Sequence, residues 1–68
     1  MNKNMLEAEM KLFGDTGTSL AEYLGISRST FSLKLNNRES EFNQGEIAKI
    51  KDRYKLTPQK IDAIFFGR

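Results

Sequence analysis

"LAEYLGISRSTFSLKLNN", residues 20–37, decides how this chain folds. Leu20, Ala21 and Leu24 form one apolar stripe; Gly25 and Ile26 interrupt it, and a second apolar rhythm follows Ser27, Arg28, Ser29 and Thr30. Apolar residues three and four apart share a helix face, so the spacing predicts a helix on each side of the break. Gly25 supplies the left-handed residue that ends the first helix, and Ser27 the side-chain oxygen that opens the second. Helix, short glycine-containing turn and second helix together outline two helices crossing at a steep angle. Ala21 is small where they would approach, and Leu20, Leu24, Ile26, Phe31 and Leu35 can share one core.

The same signals extend outward in both directions. Leu6, Met10 and Phe13 fall at i, i+4 and i+7 and predict a helix over residues 4–13. Gly14 to Gly17 break it, after which Thr16 or Thr18 can cap the next helix; a slightly shorter version would use Ser19 and Glu22 as a capping box. The helix opened by Ser27 is expected to reach Leu35 or Asn36, with Asn36-Asn37 as its exit because asparagine tolerates positive φ. Residues 38–42 read as a loop whose Phe42 turns inward. Asn43 and Glu46 form a capping box before Ile47, Ile50 and Tyr54, and Thr57-Pro58 is an N-cap followed by proline at the first helical position. A last helix carries Ile61, Ile64 and Phe65. The expectation is an all-α domain of five helices, spanning residues 1–68 without strand, repeat or linker. Its expected core comprises Leu20, Leu24, Ile26, Phe31, Leu35, Phe42, Ile47, Ile50 and Ile61.

With 68 residues there is room for one small core, and a chain this short hides only about 60% of its unfolded surface. It has no cysteine and no histidine, which excludes disulfides, thiolate or imidazole metal sites and Cys/His nucleophiles. The remaining carboxylates, lysines, tyrosines and hydroxyls form no catalytic constellation, so no enzyme and no cofactor are expected. Gly14-Asp15-Thr16-Gly17 has only the outline of a nucleic-acid-clamping GxxG loop, with an acid inside it and no strands around it. No apolar run approaches the roughly 20 residues of a membrane span, and no signal peptide opens the chain, so a cytoplasmic location is expected.

The net charge of +2 is small, but it is unevenly spread. Residues 1–22 carry Lys3 and Lys11 against Glu7, Glu9, Asp15 and Glu22, whereas residues 26–38 carry Arg28, Lys34, Arg38 and no acid. An acid-free stretch suits a polyanionic partner, and it also suits a plain solvated face.

"SLAEYLGISRSTFSLKLN" resembles the helix-turn-helix of the phage Cro and lambda-repressor-like family, in particular small regulators of phages and prophages of Gram-positive bacteria. "EFNQGEIAKIKDRY" and "LTPQKIDAIFF" are similar to the same group, so the resemblance covers nearly the whole chain. It implies a lambda-repressor-like fold and sequence-specific binding of duplex DNA by a transcriptional regulator. The helix of residues 27–36 would lie in the major groove, and two copies would sit on an operator. The sequence departs from the family pattern at Gly17 or Thr18, where many members place a phosphate-gripping glutamine. It departs again at Asn37, where Asn-Gly is common, and at Lys34, where an apolar residue is common. With no room for a ligand-sensing domain, regulation by occupancy is expected unless the chain is a piece of a longer repressor.

The candidate DNA-binding residues follow from this placement. Arg28 can bond a guanine in bidentate fashion or hold a phosphate. Ser27 either only caps its helix or also reads bases. Ser29 and Ser32 can reach bases or phosphates, while Thr30 either joins them or packs beneath the helix. Asn36, Asn37, Arg38 and Gln44 lie at a loop and a helix start, both natural phosphate seats. Measured from buried Phe31 at roughly 100° per residue, Ser32, Asn36, Ser29 and Leu33 fall at about 100, 140, 160 and 200°. Leu33 is therefore expected on the outer face, where an apolar side chain can touch a thymine methyl. Phe65 and Phe66, adjacent on a helix, point about 100° apart, so one can seal the fold while the other meets a partner. The competing class is a protein-interaction module of the same fold, such as an antitoxin, anti-repressor or adaptor. An exposed apolar patch in place of a basic strip would mark it.

Overall fold

The computed structural model describes residues 1–36 and 40–67, and among these all the regular secondary structure is helical. Five helices follow in order: α1 (Lys3–Leu12), α2 (Gly17–Leu24), α3 (Arg28–Asn36), α4 (Gln44–Tyr54) and α5 (Pro58–Ile61). The last continues as a π-wound segment (Asp62–Phe66).

Each helix starts where a side chain answers its free N–H groups. Asn2 accepts from the Met5 amide, and Thr57 accepts from Lys60 with Pro58 at the first helical position. Of the three openings left for α2, at Thr16, Thr18 or Ser19, the structure uses Thr16. Its hydroxyl accepts from the Ser19 amide while the Ser19 hydroxyl answers the Thr16 amide, so the box is Thr16/Ser19 rather than Ser19/Glu22. Asn43 and Glu46 form the expected reciprocal box on α4.

Among the described residues, four helix ends are closed by a left-handed residue, the last of them Gly67 at φ 67° after the π-wound segment. After α1 it is Gly14 at φ 72°, with the Asp15 amide donating back to Met10 O; after α2 it is Gly25 at φ 76°, with Ile26 donating to Ala21 O. This reversal satisfies carbonyls that the helix end would otherwise leave open. After α4 the same reversal is made by Lys55 at φ 52°, a conformation that costs a residue with a Cβ about 1 to 2 kcal/mol.

The core joins Leu6 and Met10 of α1, Leu20, Ala21 and Leu24 of α2, and Phe31 of α3 to Phe42, Ile50, Tyr54, Leu56, Ile61 and Ile64. Of the nine residues expected there, Leu20, Leu24, Phe31, Phe42, Ile50 and Ile61 are buried, while Ile26, Leu35 and Ile47 are half-buried against the cluster. Phe13 departs from the face it was read onto: α1 stops at Leu12, and Phe13 turns outward, 52% exposed, to rest its ring 5.0 Å from that of Tyr54. The N-terminus is held by the Asn2 amide donating to Ile64 O, which seats α1 on the C-terminal helix. Among the described residues, no helix is long and apolar enough to cross a membrane.

Candidate nucleic-acid interface

α3 is held through little of its surface. Phe31 is its one buried side chain, and the ring stands 5.7 Å from Phe42, which in turn meets Phe65 at 6.1 Å. Leu35 completes the inner side, half-buried. Arg28, Ser29, Leu33 and Asn36 are exposed, and Ser32 is half-buried beside them.

Ser27 opens α3 by accepting from the Thr30 amide at 3.1 Å and donating to the Thr30 hydroxyl at 2.9 Å. It is thus a cap by geometry, and it remains exposed at the helix front. Thr30, spent on this pair, is half-buried and belongs to the helix start. Arg28 lies back along its own helix, donating from Nη1 to Ser32 Oγ, with its guanidinium 5.8 Å from the centre of the Phe31 ring. It reaches over the first turn of α2, where a Cβ on Gly17 would stand 2.8 Å from Cζ of Arg28. Gly17, having no side chain, leaves this guanidinium the space it occupies.

Ser29 is exposed, and Leu33 is 54% exposed on the outer face, as its position on the helical wheel requires. Asn36 closes the row. Its amide donates to Ser32 O at 3.0 Å, and its carbonyl oxygen accepts from Lys3 Nζ at 2.7 Å. Arg28, Ser29, Ser32, Leu33 and Asn36 therefore share one face, with a cation at each end in Arg28 and Lys3. Gln44 is exposed at the first position of α4. Asn37 and Arg38 lie outside the described residues.

One residue of this neighbourhood, Lys3, was not singled out from sequence, and Lys34, counted there in the acid-free basic stretch, takes another role. Lys3 is 33 positions from Asn36, and no local pattern links them. Lys34 does not face outward: its ammonium bonds Glu46 Oε1 at 2.7 Å, on the same oxygen that accepts from the Asn43 amide. It pins the end of α3 to the start of α4 and leaves the outer charge to Arg28 and Lys3. Among the described residues, no cluster of acidic side chains could hold a metal ion. Comparison with protein-family models, with curated proteins and with solved structures gives no match, so the functional reading stands on the residues and their geometry.

Proposed function

We propose that the chain is a sequence-specific duplex-DNA-binding regulator of the lambda-repressor-like type. On this reading α2, the Gly25 turn and α3 are the helix-turn-helix, and α3 enters the major groove. The observation that carries it is the outer face of α3, where an acid-free row of Arg28, Ser29, Ser32, Leu33 and Asn36 stands clear of the core. That row offers a guanidinium, hydroxyls, an amide and one apolar group, the set needed to read base edges. Ser27 and Gln44, each at the first turn of a helix, and Lys3 suit phosphates, which position the protein without reading sequence. Asn37 and Arg38 are proposed for the same role from sequence alone. Two copies on an operator would act by occupancy, without a cofactor, in the cytoplasm of a bacterium carrying the phage or prophage.

Selection from a random duplex library, followed by salt titration of the winning site, tests this. A shared motif with affinity falling steeply as salt rises supports the reading, and recovery of no motif removes it. One observation favours the protein-interaction alternative: Leu12, Phe13 and Tyr23 are all exposed large apolar residues. Under that alternative, Leu12→Asp would abolish partner capture while Arg28→Ala would not.

A further inference from the structure

The two cations of α3 are used differently. Arg28 is exposed, whereas Lys34 is turned back onto α4, its side chain 18% exposed and that of its partner Glu46 9%. We propose that Lys34 is a positioning residue for DNA reading: through Glu46 it sets the angle at which the outer face of α3 meets the bases, without touching DNA itself. This role rests on the DNA-binding reading above.

Two attachments hold α3 to residues 42–46. The first is the Phe31 ring against Phe42 at 5.7 Å, an apolar contact that resists separation but prefers no direction. The second is the Lys34 ammonium donating to Glu46 Oε1 at 2.7 Å, and a hydrogen bond is directional. The receiving carboxylate is itself fixed. Its Oε1 also accepts from the Asn43 amide at 2.9 Å, while Asn43 Oδ1 accepts from the Glu46 amide at 2.8 Å. The further tie of α3, Asn36 to Lys3, is exposed. Phe31 and Lys34 stand about 4.5 Å apart along the helix axis, so together they oppose a roll that the ring alone would allow. With side-chain tips about 5 to 6 Å from the axis, a roll of about 10° moves them by about 1 Å. That spoils a hydrogen bond to a base edge more than it weakens attraction to a phosphate. Gln44, proposed for a phosphate, lies in the same first turn as Glu46, so the ion pair also fixes its offset from the base-reading row. Desolvation offsets much of the attraction within such a pair, so its main contribution is geometry rather than stability. Each charge also stands at the helix end that suits its sign, which by itself would stabilise both helices and leave base preference alone.

Duplex titrations against the selected site and a single-base mismatch, each across a salt series, separate these roles. Lys34→Met combined with Glu46→Gln removes the ion pair and keeps an acceptor for the Asn43 amide, with circular dichroism as the check on folding. This double variant is expected to reduce the preference for the selected site about tenfold and to leave the salt slope unchanged. Glu46→Gln alone moves the preference the same way, and carries the comparison if the double variant loses its helical spectrum. Lys34→Arg keeps the preference. A salt slope flattened by about one makes Lys34 a phosphate contact and overturns the proposal. Preference and slope both unchanged, with a lower urea midpoint, make the pair a stabilising tie alone and also overturn it. A wild type that selects no site removes the DNA function and this role together. A selective wild type whose variants are equally selective keeps the function and removes only this role.

Discussion

Phe31 and Leu33 are two residues apart on one short helix and lie on opposite faces of it, Phe31 buried and Leu33 54% exposed. Phe31 is fully enclosed, so Phe31→Ala removes a ring whose neighbours cannot close the gap; the expected loss is about 3 to 5 kcal/mol. For so small a domain that is most of its stability. Urea unfolding measures it, and a variant with the wild-type midpoint would show that α3 is not anchored by this ring. Leu33→Ala is expected to leave the urea midpoint nearly unchanged. In a binding titration it should weaken the preferred site by about 1 to 3 kcal/mol and relax thymine preference at one position per half-site. Lys3→Ala should instead weaken all sequences alike and flatten the salt slope by about one. Loss of folding in Leu33→Ala, or binding unchanged at every site, contradicts its placement.

At the scale of the element, the helix ends separate residues with identical backbone roles. Gly25 and Lys55 both hold positive φ at a helix C-terminus. Gly25→Ala meets no neighbouring atom, so its expected cost of about 1 kcal/mol is conformational strain alone. Lys55→Gly relieves that strain but loosens the unfolded chain, so a gain of up to about 1 kcal/mol is expected. Thermal unfolding of the two variants should move in opposite directions; a shift of the same sign would show that side-chain contacts of Lys55 matter more than its backbone. The caps were legible because a capping box or a left-handed terminus involves residues within a few positions of each other. What local reading missed at this scale is the π winding after Ile61. It leaves Phe65 half-buried against Phe42 and Phe66 outside.

Across the whole molecule, the turn between α1 and α2 is tied to α4 by Asp15. Its carboxylate is only 5% exposed and accepts from Arg53 Nε at 2.7 Å, Arg53 Nη2 at 2.8 Å, Tyr54 Oη at 2.6 Å and Ser19 Oγ at 2.9 Å. The hydrogen bonds from Arg53 first, then those from Tyr54 and Ser19, hold Asp15 well below the usual carboxylate range against the opposing effect of burial. Burial first, and then the bond to Asp15, pushes Tyr54 above its ordinary range, so it remains a donor. Because the folded state depresses the Asp15 pKa, its contribution to stability is complete above the unfolded value near 4. It is lost as pH falls through the lower folded value. Asp15→Asn is expected to cost about 2 to 3 kcal/mol at neutral pH and to flatten the loss of stability below pH of about 4. Urea midpoints measured from neutral pH into acid check both, and an unchanged acid slope in the variant would assign that slope to other carboxylates.

Although it left the start of α2 open between Thr16, Thr18 and Ser19, the sequence by itself determined that the chain is helical, where α3 to α5 begin, that Gly25 ends α2, and that Leu33 faces away from Phe31. Each of these depends on residues within about one or two helical turns, where backbone geometry alone sets the neighbours. The tertiary structure decided the rest. It brought Asp15 to Arg53 across 38 positions, Lys3 to Asn36 across 33, and Lys34 to Glu46 across 12. It also turned Phe13 out of the core and left Phe66 exposed. Those outcomes depend on how rigid helices dock against one another, and helical periodicity specifies which face is apolar but not which distant helix will cover it.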